Sequence, residues 1–196
     1  MTGRQISGAF ETVVDLFRAA ATVNRDVEAY VEPQTSASDR RALTFGEWDR
    51  AAEGVAGLFE KRGVTRGSVV CLLLPSSIDY MVCYAAALRL GAITSGINLR
   101  LGAEERRSIL LRTRPVLTVV EDGRSALPGA GSVVTRAEVV AARSGPPPGR
   151  RPDLDPSDPV AVVWTCGTSG LPKGRRLRSS VAARGGRGHR RPLGSG

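Results

Sequence analysis

Val69-Val70-Cys71-Leu72-Leu73-Leu74 is an unbroken apolar run closed by Pro75. A strand with one wet face alternates apolar and polar residues. A run that never alternates has to bury both faces, which suits a parallel sheet covered above and below. Shorter apolar segments recur at 92–96, 116–120, Val133-Val134 and Val160 to Val163. Between them the spacing turns helical. Ser77 to Leu90 carries Ile78, Met81, Val82, Ala85 and Leu88 and ends at Gly91. Further helices are predicted from Ala103 to Arg112 and from Arg136 to Arg143. Strand, helix, strand at this spacing is the rhythm of a parallel sheet whose right-handed crossovers place helices on both faces. The expected fold class is therefore α/β.

The chain ahead of this unit carries its own signals. Phe10 to Ala21 is predicted helical, with Val13, Val14, Phe17 and Ala20 or Ala21 on one stripe. Glu28 to Glu32 alternates and is bounded by Pro33, with Arg41-Ala42-Leu43 as its antiparallel partner. Thr44-Phe45-Gly46-Glu47 has the spacing of a capping box. The helix it opens would bury Trp48, Ala51 or Ala52, Val55, and Leu58 or Phe59, then stop at Gly63 in a left-handed turn. Residues 144–159 hold six of the twelve prolines and are expected to form a surface connector outside any ladder or helix.

Chemistry concentrates at the end of the last apolar segment. Val160 to Val163 reads as a buried strand that runs through Trp164 into Thr165-Cys166-Gly167-Thr168-Ser169-Gly170-Leu171-Pro172-Lys173-Gly174. Gly167 and Gly170 let successive N–H groups face one anion, because no Cβ blocks the approach. Thr165, Thr168 and Ser169 add hydroxyls, and Lys173 adds a compact mobile charge suited to a terminal phosphate. A strand feeding such a loop sets it at the carboxyl edge of the sheet, where open α/β folds bind ligands. The common P-loop ends Gly-Lys-Ser/Thr, whereas Lys173 here stands between Pro172 and Gly174.

The eleven positions Trp164 to Gly174 resemble the phosphate-binding signature of the adenylate-forming synthetases, a superfamily of acyl-CoA synthetases, luciferases and peptide-synthetase adenylation domains. Cys166 fills the signature's small position, and Ser169 stands where threonine is usual. Leu43 to Trp48 resembles the segment that opens a helix in that family. Leu88 to Leu101, including Gly91, Asn98 and Arg100, resembles a second segment in its acyl-CoA synthetase form, with Gly96 near a frequent proline. The resemblance implies the N-terminal portion of the large domain of such an enzyme. It also implies ATP with Mg²⁺, a carboxylic acid (a fatty or other organic acid) and coenzyme A as partners, and ATP contacts at Thr165, Cys166, Gly167, Thr168, Ser169, Gly170 and Lys173. The family reaction is ATP-dependent adenylation of the acid followed by thioester formation. Its adenine, ribose, metal and acyl segments and its second lysine have no counterpart in these 196 residues, so the expectation is a truncated, inactive fragment with no complete catalytic set and no metal site of its own.

Charge divides the chain unevenly. The net charge is +9, yet residues 174–196 hold seven of the 28 basic side chains and no acid, leaving 21 basic against 19 acidic residues before them. The expected organisation is a partial AMP-binding domain over 1–173 and an Arg/Gly-rich tail over 174–196, disordered or translated out of frame. An RGG-like stretch at Arg184 to Gly188 leaves nucleic-acid binding through the tail as one alternative, and the phosphate loop leaves a non-catalytic nucleotide-binding module as another. His189 lies in the wrong context for the nucleotide-proximal residue of the family. Cys71, Cys83 and Cys166 have no metal-ligand spacing, and no apolar run is long enough to span a bilayer, so a cytoplasmic location is expected.

Overall fold

The computed structural model describes residues 3–6, 9–32, 40–123, 128–165 and 173–180. The continuous apolar run becomes β3 (Val69–Leu73), buried from Val70 onward. Its parallel neighbours are β4 (Ile93–Gly96), with Val70 opposite Thr94, and β5 (Leu117–Val120), with Val70 opposite Leu117. β6 (Ser132–Thr135) lies outside β5, and β7 (Pro159–Thr165) lies outside β4, both parallel. β8 (Lys173–Arg178) returns antiparallel to β7 and gives the sheet order β6-β5-β3-β4-β7-β8.

Both faces of β3 are covered, as a run without alternation requires. Val70, Leu72, Leu117, Val119 and Val134 pack with α2 (Phe45–Lys61), α3 (Ile78–Arg89) and α5 (Arg136–Ala142). Cys71, Leu73 and Val120 pack with Ile109 and Leu110 of α4 (Ala103–Thr113) on the opposite face. The period of two assigns alternate residues to different clusters, so a one-residue slip would exchange the two cores.

Helix α1 (Val13–Val23) and the hairpin of β1 (Glu28–Val31) and β2 (Ala42–Thr44) close over Trp48 of α2. Phe17 and Tyr30 meet its ring edge-on at 5.0 and 5.4 Å, and its N–H donates to the Met81 carbonyl at 3.2 Å. The capping box forms: Glu47 N–H donates to Thr44 Oγ1 at 3.2 Å, and Thr44 N–H donates to Glu47 Oε2 at 2.9 Å. Gly63 follows α2 at φ +87°. The proline-rich connector lies directly on α2, where a Cβ at Gly57 would collide with the Pro146 carbonyl.

Three expectations are corrected. Val160 to Val163 is not buried on both faces; only Ala161 of β7 is buried, and Val163 is 47% exposed. A β-branched run shows that a strand forms but not whether a helix covers it. Pro159 belongs to β7 rather than to the connector, in the opening position where a missing N–H is tolerated. The ordered chain also continues beyond Lys173. Residues 173–178 form β8, every one exposed, and Ser179 is buried, with its carbonyl accepting from Val13 N–H at 3.1 Å. Ladder bonds join backbones and ask for no side-chain period, so the arginine-rich β8 can pair with β7. Its arginines also supply the charge that protects an exposed edge strand. Residues 181–196, with the RGG-like stretch and His189, lie outside the described residues.

Candidate functional site

β7 runs parallel to β4, so its end at Thr165 lies on the carboxyl edge of the sheet. There the chain leaves for residues 166–172 and re-enters at Lys173, the ladder partner of Thr165. The Thr165 hydroxyl donates to the Lys173 carbonyl at 3.3 Å, and both residues are exposed. Thr165 and Lys173 are therefore the last and first residues of two antiparallel paired strands, held side by side at this edge. Of the seven expected site residues, Thr165 and Lys173 are brought together; Cys166, Gly167, Thr168, Ser169 and Gly170 lie outside the described residues.

Just behind this mouth, the Trp164 indole N–H donates to the Ser95 hydroxyl of β4 at 3.0 Å. The Arg112 guanidinium of α4 lies 5.2 Å from the ring centroid. Neither Ser95 nor Arg112 carries a signal in the sequence, because each acts across elements far apart along the chain.

Beside the mouth, a cleft of about 570 Å³ opens at the carboxyl ends of β3 and β4, lined by Pro75, Ser76, Tyr80, Asn98, Leu99 and Arg100. A second cleft, of about 330 Å³, shares Tyr80, Gly96 and Asn98 with it and extends to Trp164 and Leu177. Asn98 fixes its own loop by accepting the Arg100 N–H at 2.9 Å, and both side chains are exposed. Tyr80 and Tyr84, one turn apart on α3, form the wall facing β7; burial pushes both phenols above their ordinary pKa, so they stay protonated donors. The i, i+4 pair was visible in the sequence and is the one signal that could have found this wall. A larger cleft of about 880 Å³, by Arg66, Leu90 and Arg150, lies toward the amino edge of the sheet, away from the loop. Among the described residues no three of His, Cys, Asp and Glu converge, and no helix is long and apolar enough to cross a membrane.

A family model described as "AMP-binding enzyme" matches residues 17–180. A 4-chlorobenzoate–CoA ligase from Arthrobacter sp. is 35% identical over 141 residues, which are 67% of this chain and 27% of that protein. The long-chain-fatty-acid–CoA ligase FadD13 of Mycobacterium tuberculosis is 29% identical over 171 residues, 81% of this chain and 33% of the relative. The chain thus spans about a quarter to a third of the length of these curated relatives. The N-terminal subdomain of Klebsiella oxytoca NpsA, solved with 3-hydroxybenzoyl-AMSN, superposes with a TM-score of 0.76 at 18% identity, over 87% of this chain and 41% of that one. The inhibitor-bound N-terminal domain of FACL13 from M. tuberculosis gives 0.73 at 24% identity, over 86% and 44%. Both share the fold. The family match runs seven residues past Lys173, in keeping with the ordered β8.

Proposed function

Because the chain belongs to the AMP-binding enzyme family, we propose that its β7–β8 hairpin is the phosphate grip of an ATP-dependent acid–CoA ligase, and that these 196 residues by themselves bind ATP without adenylating an acid. The observation that carries the reading is the pairing of Thr165 with Lys173 at the carboxyl edge, with the glycine- and hydroxyl-rich segment between them. Residues 165–173 hold the β- and γ-phosphates, where fixed donors lower the cost of charge on departing pyrophosphate. The parent reaction joins a carboxylate to ATP, releases pyrophosphate and passes the acyl group to coenzyme A. The acid is an organic acid of the kind named for the relatives, a substituted benzoate or a fatty acid, and a place in cytoplasmic fatty-acid metabolism belongs to the same proposal. ATP accompanied by Mg²⁺ belongs to the same proposal. The proposal limits these residues to a grip because positioning both reactants supplies about 7–11 kcal/mol of barrier lowering and one cradle positions neither. ATP titration of the full chain and of Lys173→Ala tests the reading: saturable binding that the substitution weakens supports it, and equal behaviour of the two refutes it.

A further inference from the structure

The parallel ladder between β4 and β7 ends early. Its pairs are Thr94 with Ala161 and Ser95 with Val162. Beyond Val162, toward the loop, the described contact that holds β7 to β4 is the hydrogen bond from the Trp164 indole to the buried Ser95 hydroxyl. The indole is fixed from two further directions. Arg112, in the last turn of α4, lies 5.2 Å from its centroid. On the antiparallel side Trp164 pairs with Gly174, where a Cβ would stand 3.1 Å from two ring carbons and 3.0 Å from Val162 Cγ1. The ring therefore lies across the bare Cα of its cross-strand partner, an arrangement in which an aromatic residue stabilises a glycine on an edge strand. Ser95 is itself tied to α4. Its register partner in β3 is Cys71, whose thiol lies 3.5 Å from the hydroxyl of Thr113, the neighbour of Arg112.

Trp164 and Gly174 are the pair directly below Thr165 and Lys173. A shift of the indole therefore moves the register at which the loop leaves and returns. We propose that Trp164, Ser95 and Arg112 form a positioning clamp that transmits the placement of α4 to the nucleotide-binding hairpin; the proposal rests on the nucleotide reading above. None of the three is assigned a contact with the nucleotide. Their effect is to keep Thr165 and Lys173 paired, which reduces what ligand binding has to order.

The test uses the full chain with Arg112→Ala, Arg112→Lys and Ser95→Ala. It measures ATP affinity, the thermal midpoint, and hydrogen exchange at the amides of residues 163–165 and 173–175. The loss of one exposed cation–aromatic contact predicts about two- to five-fold weaker ATP binding in Arg112→Ala. Exchange should quicken at those amides, the midpoint should hold, and Arg112→Lys should recover most of both effects. Ser95→Ala should quicken the same amides. Unchanged exchange at the hairpin mouth overturns the clamp, as does quickening that spreads through β3 and β5 together with a fall in midpoint. If the wild-type chain binds no ATP while Arg112→Ala still quickens these amides and Arg112→Lys restores them, the clamp stands and the nucleotide reading falls.

Discussion

Asp79 is fully buried in the first turn of α3 and gathers three arginines from elsewhere in the chain. Arg136 Nε donates to its Oδ2 at 2.7 Å, Arg143 bonds its other oxygen, and Arg41 approaches to 3.7 Å. One carboxylate thereby joins the β1–β2 hairpin, α3 and α5, next to the Tyr80 that walls the cleft. Asp79→Asn keeps the volume and removes the charge. Removing one partner of a buried ion pair costs about 3–5 kcal/mol, because the other charge stays desolvated. Here the side chains of Arg136 and Arg143 are 26% and 18% exposed, so water recovers part of that, and Glu121 retains Arg136 at 3.3 Å. The expected loss is about 2–3 kcal/mol. With a urea slope of about 2 kcal/mol/M, the unfolding midpoint should fall by roughly 1–1.5 M at constant slope. Adding Arg143→Met should return part of the loss, since the stranded cation is then gone. A midpoint shift under about 0.3 M at unchanged slope would show that the cluster is already solvated and would refute the reasoning.

Two further outcomes follow from the same structure. The Glu47 carboxyl is held below its ordinary 4.5 chiefly by the Thr44 backbone N–H, then by the Thr44 hydroxyl, with Arg50 adding to the effect. A lowered folded value means the capping box contributes fully above the unfolded value and is lost as pH falls through the folded one. Glu47→Gln should therefore flatten the acid side of the stability curve below about pH 4.5, and an unchanged acid limb would contradict the assignment. Carboxylate-dependent ATP–pyrophosphate exchange should stay at background for the 196-residue chain with benzoates and fatty acids alike, and exchange above background would show that the chain carries a complete adenylation centre.

The legible parts of the fold are those where one residue's surroundings are set by near neighbours or by a strict period. Val69 to Leu74 required cover on both faces and has it, from α2, α3 and α5 on one side and α4 on the other. Thr44 and Glu47 closed their box at the spacing the sequence shows. What escaped depends on partners remote in the chain. Asp79 and Arg89 sit among apolar residues of α3, and nothing local tells that Arg136 and Arg143, or Asp49 and Glu53, will meet them. β8 escaped because Lys173 to Arg178 has the composition of a solvated tail, while its order comes from backbone pairing with β7 and from Ser179 anchored beside α1. At the site, the motif marks Thr165 and Lys173 as the proposed ligand groups. Their backbone pairing depends on the ladder, and the contacts of Trp164 with Ser95 and Arg112 involve two residues that no motif marks.

The most direct test of the phosphate grip compares ATP with AMP on the wild-type chain and on Lys173→Ala by calorimetric titration. A grip on the β- and γ-phosphates predicts that ATP binds more tightly than AMP, and that Lys173→Ala weakens ATP by at least about ten-fold, as losing a hydrogen bond to a charged group does, while AMP is unaffected. Equal affinity for the two nucleotides, or ATP binding indifferent to Lys173, would contradict the account.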